Sequence, residues 1–154
     1  MEREVLSNPA FGIEKHFLPA AKREKKEILE LETLKFQLEM LKQLKYNNDS
    51  FQDTVKKLPT ISKAYRDCLV SWKEGDLDKL DKKFLQVMPI LYSKDYRKVL
   101  YDDRNATMTE KIKGYIDKDE SVFVTVGYGH FGGEKGIVPL LRKSGYSLTQ
   151  LKTA

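Results

Sequence analysis

The stretch from Ser121 to Gly133, S-V-F-V-T-V-G-Y-G-H-F-G-G, constrains the fold more than any other part of the chain. From Val122 to Gly127 it is mostly apolar and β-branched, which predicts a strand buried on both faces. Gly127, Gly129, Gly132 and Gly133 then release the backbone into a sharp turn that holds His130, one of only two histidines. Gly136 to Lys143 predicts a helix closed by Gly145, so the unit reads as strand, turn, helix. In an open α/β sheet ligands gather beyond the carboxyl ends of strands, which makes His130 the first residue to interrogate.

Two further strands are expected around this unit. Lys26 to Glu32 is too short for an independent helix before Thr33 and reads as a strand, although its periodicity alone also permits helix. Tyr146 to Leu151 alternates enough for a last strand. A helix between two strands favours a parallel, right-handed pair. Everything between is helical in pattern. A short helix follows Gly12, with a kink or a late start forced by Pro19. Thr33 caps a helix carrying Leu34, Leu38 and Leu41 in one row and Phe36, Met40 and Leu44 in another, ended by Asn47-Asn48-Asp49. Ser50 and Asp53 resemble a capping box for a helix that stops before Pro59. Ile61, Ala64, Tyr65, Cys68, Leu69 and Trp72 mark the next helix, up to Gly75. Asp76 caps a segment that runs to Pro89, another helix carries Leu91 to Leu100, and Arg104-Asn105 opens the next one. The predicted fold class is α/β: a small, mostly parallel sheet with a large amphipathic helical insertion over about 34–117, helix-rich overall, in one domain spanning 1–154.

Composition narrows function. With 154 residues, 40% apolar and 33% charged, the chain is long enough to bury a core. The net charge of +5 is spread among Asp and Glu on helical stretches, without the concentrated basic block or aromatic-basic alternation of a nucleic-acid binder. Cys68 is the only cysteine, so neither an internal disulfide nor a thiolate cage for zinc can form. No apolar run approaches the roughly 20 residues of a membrane span, and the chain as written reads as cytoplasmic, a compartment left open for any longer parent.

Gly127, Gly129 and Gly132 satisfy G-x-G-x-x-G, but a dinucleotide site also needs an acidic residue some 20 positions on, and Tyr146 to Ala154 has none. His130 is left with three roles: metal ligand, general base, or hydrogen-bond partner of a neighbouring loop. Glu32, at the end of the first expected strand, would share its sheet edge if the two strands run parallel. Glu30 lies one step deeper, and His16, on a helical surface, is a peripheral third candidate. Asn105 sits one turn before Met108 on an apolar face, where an inward polar side chain either anchors structure or serves a site.

These residues resemble the TraB/PrgY/GumN family, which includes the Tiki-type metalloproteases. The resemblance rests on an ordered series: G-I-E at Gly12 to Glu14, L-E-T at Leu31 to Thr33 with Gln37, and W-K-E-G-D-L at Trp72 to Leu77. It continues with R-N at Arg104-Asn105, V-G-Y-G-H-F-G-G at Val126 to Gly133, and L-R-K-S-G-Y at Leu141 to Tyr146. It implies a metal-dependent hydrolase, peptidase-like, whose site uses two G-x-x-H motifs and a glutamate. The second motif falls on Gly127 to His130 and the glutamate on Glu32, so the implied metal and catalytic residues are His130 and Glu32. Arg104, Asn105, Gly127 and Gly129 are implied as site support, and a divalent ion as cofactor. The first G-x-x-H has no counterpart, so the chain resembles the C-terminal part of a longer family domain. Tyr128 stands where the family commonly has a small residue. The rival expectation is a non-catalytic module that binds a peptide or protein, or completes its open sheet edge with a partner strand or a second copy.

Overall fold

The Thr33 hydroxyl accepts the backbone N–H of Phe36 at 3.1 Å and so starts a helix where a cap was expected. The computed structural model describes residues 12–44, 51–91, 96–118 and 121–151. It divides into an N-terminal unit, Met1–Leu31, and a larger unit, Glu32–Ala154. The N-terminal unit holds helix α1 (Ile13–Arg23), which begins directly after Gly12 and continues through Pro19.

The larger unit is built of helices: α2 (Leu34–Lys42), α3 (Phe51–Glu74), α4 (Leu77–Leu91), a π-helical turn (Lys98–Asp102), α5 (Asp103–Ile116), a 3-10 turn (Tyr128–His130) and α6 (Ile137–Lys143). Asp76 Oδ1 accepts the N–H of Lys79 at 2.9 Å, which caps α4 as expected. Gly75 between α3 and α4 has φ +68° and Gly145 beyond α6 has φ +91°, so each helix stops on a residue that enters the left-handed region without a Cβ penalty. Pro139 is the third residue of α6, where its missing N–H costs no helical bond.

The expected α/β sheet is not there: among the described residues there is no strand. Residues 26–30, 121–127 and 146–151 lack any ladder, and the parallel pair built on them falls with it. β-Branched side chains favour extended φ/ψ, but a strand also needs a neighbour for its N–H and C=O groups, and propensity does not supply one. Val122 and Phe123 are exposed instead of buried on both faces. The sheet edge expected to accept a partner strand therefore has no counterpart among the described residues. A second correction concerns α3, which runs unbroken through Pro59 for 24 residues. Loss of one helical hydrogen bond there costs about 3 kcal/mol, and the long face that α3 packs against α4 outweighs it. Asn47-Asn48-Asp49 and Ser50 lie outside the described residues.

Ala64, Cys68 and Ser71 of α3 and Leu80 of α4 are buried along that packing seam, so Cys68 is a core residue. Met40 of α2 packs with Tyr96 and Leu100, flanked by Leu44, Met88, Val99 and Tyr101. Met108 and Ile112 of α5 and Ile137 and Leu141 of α6 are buried where those two helices meet. Each such side chain contributes roughly 1.5–3 kcal/mol on leaving water. Among the described residues no helix is long and apolar enough to cross a membrane.

Candidate active site

Two consecutive residues in the first turn of α5 organise the polar centre of the larger unit. Arg104 reaches Glu32, and Asn105 reaches His130. The π-helical turn before them widens the backbone, with the N–H of Asp103 bonded five residues back to Lys98. The Leu100 carbonyl within that turn accepts Arg104 Nη1 at 2.8 Å, which steadies the guanidinium.

Arg104 then holds the Glu32 carboxylate in a two-pronged grip, Nε to Oε1 at 2.8 Å and Nη2 to Oε2 at 2.7 Å. Gln37 adds a 3.3 Å bond to Oε2. The side chains are 13% and 5% exposed, so the pair is largely out of water. Burial pushes the Glu32 carboxyl up, but the hydrogen bonds and charge of Arg104, with Gln37 and a smaller contribution from His130, outweigh it and leave it below its ordinary range.

Asn105 is 2% exposed and uses both ends of its amide. Its Nδ2 donates to the Lys135 carbonyl at 2.9 Å, and its Oδ1 lies 2.6 Å from His130 Nδ1. An amide oxygen only accepts, so Nδ1 carries the proton; turning the amide over would set two carbonyl oxygens against each other. Neutral His130 is therefore the tautomer whose lone pair sits on Nε2. Burial, then the Arg104 charge, lowers the His130 pKa to about 4 against the weaker upward pull of Glu32, so the ring is neutral at pH 7. His130 itself is 6% exposed and closes its 3-10 turn with an N–H bond to the Gly127 carbonyl at 3.0 Å.

Aromatic rings back the turn. Tyr101 lies 5.2 Å from the His130 ring and edge-on to Phe84, which in turn packs edge-on to Tyr128. Gly129 is where Tyr101 comes close: a Cβ there would sit 2.7 Å from Tyr101 Cε1. Gly127 has no such constraint, its nearest neighbour being His130 Cδ2 at 3.8 Å. Tyr128 fills space beside Phe84, and burial pushes its phenol pKa up.

Glu32, Arg104, Asn105 and His130 thus come together, but not by a shared sheet edge. Glu30 and His16 lie in the N-terminal unit, both exposed, with His16 edge-on to Phe17. The sequence reading missed Tyr101 and the Lys135 carbonyl. Tyr101 stands four residues before Asn105, a helical spacing that marks a shared face, whereas a backbone carbonyl leaves no sequence signal.

A metal ion requires more than this set provides. His130 fits as one donor through Nε2, its Nδ1–H being anchored as ligating imidazoles usually are. Glu32 is the poorer donor, because Arg104 holds both its oxygens and Gln37 adds a second bond to Oε2, leaving one lone pair on Oε1. Among the described residues no group of three His, Cys, Asp or Glu side chains is arranged to hold a metal. The residues present fit one ligand position and not a complete centre.

A helical scaffold with a buried imidazole oriented by an asparagine and a carboxylate held by an arginine defines the class of site. A model of the TraB/PrgY/gumN family matches residues 1–150, and the chain belongs to that family. It is also similar to a protein of Amphimedon queenslandica named Metalloprotease TIKI homolog, 32% identical over 111 residues. That match covers 69% of this chain and 19% of the relative, so the chain spans about a fifth of the relative's length. No solved structure matches.

Proposed function

We propose that the chain carries part of the site of a metal-dependent, peptidase-like hydrolase, with Nε2 of His130 as the donor atom it contributes. The observation that carries this reading is the Asn105 amide, which holds His130 as the Nδ1–H tautomer at 2.6 Å. Burial and Arg104 keep the ring unprotonated. A base works best with a pKa near the working pH, whereas a ligand needs only a lone pair free of protons, so a pKa of about 4 favours the ligand role. A divalent ion, when bound, supplies Lewis acidity for hydrolysis. Arg104 positions and neutralises Glu32, whose charge acts on His130 through space. Asn105 sets the ring plane, and Gly129 lets Tyr101 pack beside it.

Metal analysis of the purified chain, with His130→Ala as control, tests this. Because one donor makes a weak site, the expected result is a Zn²⁺-dependent shift of the His130 imidazole NMR signals in the wild type that is absent from the variant. A folded wild type that leaves the His130 signals unmoved at saturating Zn²⁺ would refute the reading and support a non-catalytic interaction module.

A further inference from the structure

Helix α3 buries one face against α4 and leaves a second apolar stripe uncovered. Val55, Leu58, Tyr65, Leu69 and Trp72, with Ser62 among them, follow alternating steps of three and four residues. That is the spacing of a seam that receives another helix. Val55, Leu58, Tyr65 and Trp72 are exposed, Trp72 by 51%. Two of these, Tyr65 and Trp72, are of the residue types that most often anchor an interface.

Charge identifies the occupant. On the flank away from α4 stand Lys63, Arg66 and Lys73, all exposed. Among the described residues none of these three makes an ion pair or side-chain hydrogen bond, whereas the nearby Asp67 is already paired with Lys83 at 3.3 Å. The other flank is the α3–α4 seam itself. A second copy docking antiparallel by the same stripe would bring Arg66 and Lys73 against their own kind, and one docking parallel would set them against the α3–α4 seam, which among the described residues offers them no row of carboxylates. A helix lying on a lipid surface carries cations along both edges of its apolar face, and here they line one. We propose that this stripe binds an acidic amphipathic helix of a partner protein, its apolar face on Tyr65 and Trp72 and its carboxylates along Arg66 and Lys73.

Trp72 is the only tryptophan, so its emission reports on the stripe directly. The probe is a designed helix of about three heptads with leucine seam positions and glutamate flanks; the control replaces each glutamate by lysine. The full chain is expected to show a saturable blue shift with the acidic peptide and at least ~10-fold weaker binding of the lysine peptide. Arg66→Glu/Lys73→Glu is expected to invert that preference. Equal response to both peptides, or none, would overturn the proposal. So would a blue shift with phosphatidylserine vesicles in place of the peptide, or one that grows with concentration of the protein alone. Should the double variant fail to fold, the two-peptide comparison on the wild type decides.

Discussion

Removing Arg104 isolates the electrostatic core of the site. Arg104→Met keeps the apolar stem but leaves Glu32, 5% exposed, with Gln37 as its remaining hydrogen-bond partner. Breaking a buried pair from one side costs about 3–5 kcal/mol, because the surviving charge is uncompensated. For a chain of this length that is roughly 6–20 °C of Tm. Glu32→Gln likewise leaves a largely buried charge without its partner, and its amide oxygen accepts only one of the two guanidinium bonds while its NH2 opposes the other, so its cost falls in the same range. The double variant Glu32→Gln/Arg104→Met is expected to recover much of the loss, which a urea-unfolding cycle followed by circular dichroism measures. Acid supplies an independent signature. In the wild type Glu32 sits below its ordinary range, so its contribution is present above the unfolded carboxyl pKa and is lost as pH falls through the folded one. In Arg104→Met burial acts unopposed by the arginine, the folded pKa lies above the unfolded one, and the penalty fades as Glu32 takes up a proton. The gap between wild type and variant should therefore narrow as the pH falls through the carboxyl range. A variant that loses less than about 1 kcal/mol at pH 7, or whose deficit is flat with pH, would refute the reasoning.

Two further outcomes follow from the same geometry. His130 has a folded pKa of about 4 against 6.5 when unfolded, so between those values the unfolded state binds the extra proton and stability rises with pH. The full effect is about 3 kcal/mol, and His130→Gln should flatten the stability profile in that window while leaving it sloping below. Gly129→Ala should cost about 1–3 kcal/mol by forcing Tyr101 aside, whereas Gly127→Ala, with its nearest neighbour at 3.8 Å, should stay within about 0.5 kcal/mol of wild type by the same unfolding assay.

Helix boundaries were legible where a side chain or a glycine marks them. Thr33, Asp76 and Gly145 carry local chemistry that acts within four residues, and each sits at the helix end expected of it. The strands were not legible because Val122 to Val126 advertises only an extended backbone; pairing depends on a second segment that a local pattern does not contain. Pro59 misled for a related reason. Its missing donor is a local cost, while the α3–α4 seam that offsets it, lined by Ala64, Cys68 and Ser71, lies further along the helix. The site shows a different balance. Glu32 and His130 were paired through an imagined sheet, yet what joins them is α5, where Arg104 and Asn105 each hold one. Asn105 was legible as an inward polar residue, and its amide bonds the Lys135 carbonyl at one end and His130 at the other.

The most direct test of the account is the tautomer of His130 at pH 7, read from the ring ¹⁵N shifts by long-range ¹H–¹⁵N NMR on the full chain. The expected spectrum has the proton on Nδ1, a bare Nε2, and no titration until well below the range of a free histidine, with Asn105→Leu losing that preference. A proton on Nε2, or a ring that titrates near 6.5, would contradict it.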